Sequence, residues 1–365
     1  MDLTFGIAGL PNTGKSTLFN LLTNAKVASD NYPFCTIDPN IGIVDIPDKN
    51  LDALADITQP DKITYTTLKF FDIAGLVKNA HQGEGLGNQF LGQIRGVDAI
   101  CHVVRCFGDK NVSHVYNEIN PVKDIEIILT ELIMADLEIV EKKINSMEKG
   151  LRIGKKDMPE DQSRLLYAMK DALSHGIPII ETDLGTEDRT YMKSMGILSA
   201  KPYIIVANTG EDDIIQASEE LESISSWGRK KGAPVIPVCG QFELEAMDLD
   251  ADERQEFLES VGITQTGRDS LIRACYDILG LITFYTPVGK ELKAWTIKKG
   301  KTLYEAAGQI HTDIQKGFIK AEVITLKDFV GYKGMHKARD AGLVLTEGRG
   351  FVLRDHDIIV IHFKG

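Results

Sequence analysis

Gly9-Leu10-Pro11-Asn12-Thr13-Gly14-Lys15-Ser16-Thr17 follows an apolar run, Leu3 to Leu10. It opens a segment, Ser16 to Asn24, whose Leu18, Phe19, Leu21 and Leu22 recur at helical spacing. Strand, glycine loop and helix in that order match GxxxxGK[ST] in the context that gives the pattern its meaning. The glycines let successive backbone N–H groups turn inward around phosphate oxygens. Lys15 adds positive charge at the β and γ phosphates, and Ser16 offers a hydroxyl to Mg²⁺. Gly14, Lys15 and Ser16 are therefore expected phosphate-binding residues, with Lys15 also a candidate catalytic group.

Working outward, short β-like runs follow at Ile41–Ile46, Thr67–Ile73, Ala99–Cys106, Pro202–Ala207 and Pro234–Cys239, separated by helical stretches. That alternation predicts an α/β fold with a doubly wound, mainly parallel sheet. Asp72-Ile73-Ala74-Gly75 closes the third strand, where a carboxylate can hold magnesium through water and a glycine N–H can meet the γ phosphate. Between it and the glycine loop, Tyr32-Pro33-Phe34-Cys35-Thr36-Ile37 offers Thr36 to the same metal. Thr36, Asp72, Gly75 and Leu76 are thus the expected switch positions, and Ser16, Thr36 and Asp72 the expected metal set.

Two substitutions bear on the base and on the chemistry. Where a guanine reader carries NKxD, this chain has Asn208-Thr209-Gly210-Glu211. If Glu211 misses the guanine edge, two donors lose partners at roughly 1–3 kcal/mol each. Adenine, lacking N1–H, loses less, so the departure favours ATP, while an impaired GTP reader stays open. Leu76 stands where a water-positioning Gln is common, and an apolar side chain orients no water. His81, Gln82, Glu84, His102 and His114 are the candidates to replace it.

Some hundred residues separate the fourth and fifth strands. Ile125, Ile128, Leu132, Ala135 and Ile139 follow the 3-4 spacing of a long helix, and Leu165, Leu166, Met169 and Leu173 suit a returning one. The reading is a helical hairpin inserted at about 122–200, with two ordinary helices packed on the sheet as the alternative. After Gly280 the texture changes. Leu281–Tyr285, Leu292–Thr296, Phe318–Ile324 and Ile358–Phe363 are short β-like runs around a helix at Leu303–Ile314, a small α+β module.

The 365 residues, 43% hydrophobic and 26% charged, suit two or three folded domains and argue against a disordered chain. No apolar run approaches the ~20 residues of a membrane span, and no secretory signal is visible at the N-terminus. Five scattered cysteines without a CxxC pair read as reduced thiols of a cytoplasmic protein. The net charge of −12 hides an asymmetry: residues 280–365 hold 14 Lys and Arg against 9 Asp and Glu, leaving −17 for the remainder. A basic face around Lys298-Lys299-Gly300-Lys301, with Lys290, Lys293, Lys316 and Lys320, would neutralise phosphates without reading sequence.

The combination resembles the YchF/Obg-like ATPase family of translation-factor-class P-loop proteins. GLPNTGKST at 9–17, NYPFCTIDPN at 31–40, DIAGLVKNAHQGEGLGNQFL at 72–91, NTGE at 208–211 and AWTIKKG with IHTDIQKGFIKAEVI at 294–324 carry the likeness. It covers nearly the whole chain. The resemblance implies an OBG-type G domain over 1–279 interrupted by the hairpin, and a β-grasp-like TGS domain over 280–365. It implies ATP, held by Asn12, Thr13, Gly14, Lys15, Ser16 and Thr17, Mg²⁺ held by Ser16 and Thr36, and adenine meeting the backbone near Thr209. It also implies His114 as the replacement catalytic group, and Asn12 matches the P-loop asparagine of K⁺-dependent relatives. The implied partner is the ribosome or its large subunit, met through the TGS domain and hairpin, with neither membrane nor sequence-specific DNA. An ATP-hydrolysing switch is the leading expectation. A GTPase switch, a nucleotide-gated interaction protein with incidental hydrolysis, and a metabolite kinase are the competitors.

Overall fold

The computed structural model describes residues 3–23, 40–73, 86–108, 118–152, 159–183, 186–288 and 290–364. Thr36, Gly75, Leu76, His81, Gln82, Glu84 and His114 lie outside the described residues. The first elements are β1 (Thr4–Gly9), α1 (Lys15–Thr23), β2 (Ile41–Asp45), α2 (Lys49–Thr58), β3 (Lys62–Thr64), β4 (Thr67–Asp72), α3 (Leu86–Arg95) and β5 (Ala99–Arg105). Next come α4 (Pro121–Arg152), α5 (Glu160–Ser174), α6 (Thr186–Met195), β6 (Tyr203–Asn208), α7 (Asp212–Ile215), α8 (Glu219–Lys231) and β7 (Val235–Val238). Three helices, α9 (Gly240–Ala246), α10 (Ala251–Ser260) and α11 (Gly267–Ile278), lead to β8 (Leu281–Val288) and β9 (Glu291–Lys298). The chain closes with α12 (Leu303–Ile310), α13 (Thr312–Lys316), β10 (Phe318–Thr325), α14 (Leu326–Gly331), α15 (Met335–Asp340), β11 (Leu345–Glu347) and β12 (Asp357–Phe363).

Packing divides the chain into two compact units: Leu3–Gly42 with Lys69–Ala274, and Ile43–Leu68 with Cys275–Gly365. In the first, a six-stranded sheet runs β2-β4-β1-β5-β6-β7. β1 pairs in parallel with β4 and β5, β5 with β6, and β6 with β7. β5 and β6 are buried along their whole length, as an apolar strand covered on both faces must be. The chain crosses from one side of β1 to the other between β4 and β5. The carboxyl ends of the strands therefore meet at a topological switch point, where α/β folds bind ligands.

The long helix has two roles. Ile125, Ile128, Leu129, Leu132 and Ala135 of α4 join the sheet's core, as a crossover helix would. Further along, Val140 and Ile144 instead pack with Leu165, Leu166, Met169 and Leu173 of α5. Tyr167 donates to Glu148 at 3.0 Å and Lys170 pairs with Glu141 at 3.1 Å, an order that makes α4 and α5 antiparallel. Only the second half of α4 therefore belongs to a hairpin. The expected seam is continuous in sequence but changes partner midway, because a 32-residue helix outruns the sheet it crosses.

The C-terminal unit is built on a second six-stranded sheet, β11-β10-β12-β8-β9-β3. β3 joins its edge in parallel with β9, and α2 supplies Leu51 and Leu54 to its core. The sequence reading contains neither contribution, since 43–68 lies more than 200 residues before the rest of this sheet. The helix expected at Leu303–Ile314 is broken at His311, whose side chain accepts from the Asp313 N–H and caps a new short helix.

The expected single basic face also changes. Lys298 lies opposite Leu281 and Glu291 opposite Val288, so Lys290 and Lys298–Lys301 stand at opposite ends of the β8–β9 pair. At ~3.3 Å per residue an eight-residue strand holds those ends some 25 Å apart. Lys290 is paired with Asp61 at 2.8 Å and Lys301 with Glu305 at 2.6 Å, and the Lys293 ammonium lies 3.9 Å over the Trp295 ring. These lysines form two separate patches. Among the described residues no helix is long and apolar enough to cross a membrane.

Candidate functional site

β1 ends and α1 begins around the loop Leu10–Gly14, and each unusual backbone feature there has a local cause. Asn12 has φ 63° and Gly14 φ 94°, left-handed values that fold the chain back on itself. A Cβ at Gly9 would stand 2.5 Å from the Val103 carbonyl oxygen, so only glycine lets the loop leave β1 against β5. The Thr13 hydroxyl donates to the Leu10 carbonyl at 3.0 Å, tightening the turn. α1 carries no acidic residue in its first turn, which leaves its N-terminal N–H groups and positive dipole end to an anion.

Lys15, Ser16 and Asp72 come together at this loop, as the sequence predicts. The Lys15 ammonium donates to the Leu10 carbonyl at 2.9 Å. Burial lowers its pKa, and the Asp72 charge opposes that shift. Asp72, at the end of β4, is raised by burial, while Lys15 and a hydrogen bond from the Ser16 hydroxyl pull it back. A hydroxyl and a carboxylate sharing one spot are hard oxygen donors, the kind Mg²⁺ selects. The N-terminal N–H groups of α1 and one ammonium suit the phosphates that such an ion accompanies. The donor set fits a magnesium nucleotide.

On the other side of the loop, Asn208 at the end of β6 does more than the sequence indicates. Its amide donates to the Thr13 carbonyl at 3.0 Å and clamps the phosphate loop from below. A Cβ at Gly14 would lie 2.0 Å from that amide nitrogen, and one at Gly240 would lie 3.3 Å from the amide oxygen. Thr209 is buried and donates its N–H to the Val238 carbonyl at 3.0 Å, while Glu211 stands exposed before α7. Asp213, which the sequence reading passes over, accepts from the N–H groups of Gly210 at 3.0 Å and Ser218 at 2.7 Å and fixes the turn.

Arg105 and Phe107 are also missed. Arg105 is 1% exposed, donates to the Phe107 carbonyl at 3.0 Å, and lies with its guanidinium carbon 4.5 Å from that ring. A Cβ on Gly210 would be 3.5 Å from Phe107, so this aromatic borders the Asn208–Glu211 turn. The available signal was a charged residue ending an otherwise apolar strand. His102, a candidate for orienting water, is instead fully buried between its face-mates Ile100 and Val104 on β5, edge-on to Tyr203 at 5.4 Å. Burial holds its pKa down to about 3, and neither ring nitrogen has a hydrogen-bond partner among the described residues. An imidazole sealed in the core reaches no water at the phosphates.

Residues 4–143 match the family described as "50S ribosome-binding GTPase", and residues 281–364 match YchF-GTPase_C, described as "Protein of unknown function (DUF933)". The chain is 45% identical over 366 residues to the "Ribosome-binding ATPase YchF" of Bacillus subtilis (strain 168), covering 100% of this chain and 99% of that protein. It is 43% identical over 364 residues to the protein of the same name from Escherichia coli O157:H7, covering all of both. Among solved structures, that of the Schizosaccharomyces pombe YchF GTPase superposes with a TM-score of 0.88 at 33% identity, across 99% of this chain and 98% of the other.

Proposed function

The chain belongs to the YchF family, and from that premise we propose that it is a ribosome-binding ATPase whose nucleotide state switches its association with the ribosome. The observation that carries the base preference is the Asn208-Thr209-Gly210-Glu211 turn. It is tied to the phosphate loop through Asn208 yet holds Glu211 in place of the guanine-reading Asp. Adenine asks less of that position: a backbone carbonyl near Thr209 can accept from its 6-amino group, and no carboxylate need pair with N1–H. Asn12 to Thr17 would bind the phosphates, with Lys15 against the β and γ oxygens. Ser16 and Thr36 would hold Mg²⁺ directly and Asp72 through water, the ion neutralising the phosphate charge. Asn12 is the proposed contact for K⁺. We assign 1–279 to the G domain, with the helical insertion at about 122–200, and 280–365 to the TGS domain, to whose sheet and core residues 43–68 are added.

Two measurements on one preparation test this reading. Calorimetry with Mg²⁺ should give about tenfold or greater preference for ATP over GTP, the discrimination expected from one unmade buried hydrogen bond. Thr209→Lys with Glu211→Asp should shift that preference toward GTP. Co-sedimentation with ribosomes at low salt should be stronger with a non-hydrolysable ATP analogue than with ADP. Equal or tighter GTP binding returns the protein to the GTPase class suggested by the name of the fission-yeast relative. Sedimentation indifferent to nucleotide removes the switch.

Leu76 cannot orient water, so basal turnover should be slow, and His114 is our candidate for the missing group. His114→Ala should lower kcat while leaving ATP affinity nearly intact, because a positioning group acts on the transition state alone. Turnover at the parental rate would shift the assignment to His81 or Glu84.

A further inference from the structure

One face of the C-terminal sheet carries successive rows of side chains across the strands, since every second residue points the same way. In one row Ala294 lies opposite Tyr285, Tyr285 level with Ile358, and Ile358 opposite Ile324. Leu51 and Leu54 of α2, with Phe329 and Ala338 of α14 and α15, cover that row. The next row on this face joins Leu292 to Pro287 and Val360 to Glu322, with Val360 two residues past the Ile358–Tyr285 pair. It floors an open groove of about 660 Å³, walled by the end of α2 and the turn between α14 and α15. Ile57, Pro60, Pro287, Met335 and Val360 remain only half-buried there.

The charges around the groove are not balanced by position. Its two carboxylates already have partners: Glu322 meets Arg339 at 2.7 Å and His362 at 3.8 Å, and Glu291 meets Lys62 at 3.7 Å and the Thr64 hydroxyl at 2.8 Å. His336 on the rim faces Asp340 at 3.2 Å. Lys333 and Lys337, also on the rim, are exposed and have no acidic partner among the described residues. One row further along the sheet, exposed Lys320 lies opposite exposed His362. An aliphatic and proline floor is thus bordered by cations on two sides.

We propose that this groove docks an acidic protein segment with apolar side chains, lying across the strands of the C-terminal sheet. Apolar side chains would enter over Pro287 and Val360 while carboxylates meet Lys333, Lys337 and Lys320. A nucleic-acid strand suits the groove less well. The half-buried lining, Ile57, Pro60, Pro287, Met335 and Val360, offers aliphatic surface where unpaired bases stack on aromatic faces. Peptide sites combine an apolar centre with a polar rim, as here.

Fluorescence anisotropy on the full chain at moderate salt tests it with three labelled probes. They are the decapeptide DELDFEDLED, its apolar-to-serine counterpart DESDSEDSED, and a ten-residue oligouridylate. The first should bind saturably and the second at least about tenfold more weakly, a difference of about 1.4 kcal/mol. Lys333→Glu with Lys337→Glu should weaken the first at least tenfold, as should Met335→Asp, with unfolding midpoints measured alongside. Lys298→Glu with Lys299→Glu, at the other end of the sheet, should leave it unchanged. Failure of DELDFEDLED to bind, equal binding of the serine peptide, insensitivity to the rim changes, or preferential binding of oligouridylate would each overturn the proposal.

Discussion

Gly14→Ala should reduce ATP affinity by a hundredfold or more while leaving the protein folded. The glycine holds φ 94°, where an L side chain is strained by roughly 1–3 kcal/mol. The added methyl would also lie 2.0 Å from the Asn208 amide nitrogen. That amide cannot simply retreat, because it donates to the Thr13 carbonyl at 3.0 Å and so holds the phosphate loop. Relief by either route displaces the N–H groups that would face phosphate. About 2.7 kcal/mol corresponds to a hundredfold loss, within the reach of strain and a lost clamp together. Calorimetry with ATP and Mg²⁺ reads the affinity, and thermal unfolding monitors the fold. Gly348→Ala is the control, since its added methyl meets nothing within 4 Å. Parental affinity in Gly14→Ala would show that the loop tolerates the displacement and that Asn208 does not set its shape.

The second large effect concerns stability. Asp136, fully buried on α4, accepts from the N–H groups of Leu198 at 2.8 Å and Ser199 at 2.7 Å. It thereby fastens the segment after α6, which leads into β6, to the long helix. Asp136→Ala would leave both N–H groups buried without an acceptor, at about 3 kcal/mol in total. Burial pushes this carboxyl up from 3.8 to about 6 against the pull of its hydrogen bonds. The folded protein therefore holds the proton more tightly than the unfolded chain. The resulting stability is fully present below about pH 4 and is lost as pH rises through about 6, a change of roughly 3 kcal/mol. Denaturant unfolding of the native chain and Asp136→Asn from pH 4 to pH 8 isolates this group, because other carboxyls cancel in the difference. The native chain's advantage should shrink as the pH rises. A difference that stays constant with pH would remove Asp136 as the titrating group.

Both predictions depend on pairings between residues distant in sequence, and such pairings were the hardest features to read. Lys15, Ser16 and Asp72 could be matched to one site because the phosphate loop and the strand-end carboxylate each have a local signature. Asn208 was legible as part of a base-reading turn, but not as the clamp on Thr13, 195 positions away. His102 is a candidate for orienting water by residue type alone. It sits on a central strand covered on both faces, so it is in the core, where burial keeps it neutral.

The sequence by itself determined what short-range chemistry controls. It carried the glycine loop between strand and helix, the buried parallel strands, the long apolar helical pattern, the α+β texture after Gly280 and the motif set of the YchF family. Each rests on backbone freedom or side-chain periodicity within a few residues. Tertiary structure alone decided which surfaces those elements share. It turned the first half of α4 onto the sheet and the second onto α5. It recruited α2 and β3 into the C-terminal sheet, and separated lysines that are neighbours in sequence. It also left Pro287 and Val360 of that sheet half-exposed. Periodicity says which face of an element is apolar, but the partner that covers that face depends on the packing of the whole chain.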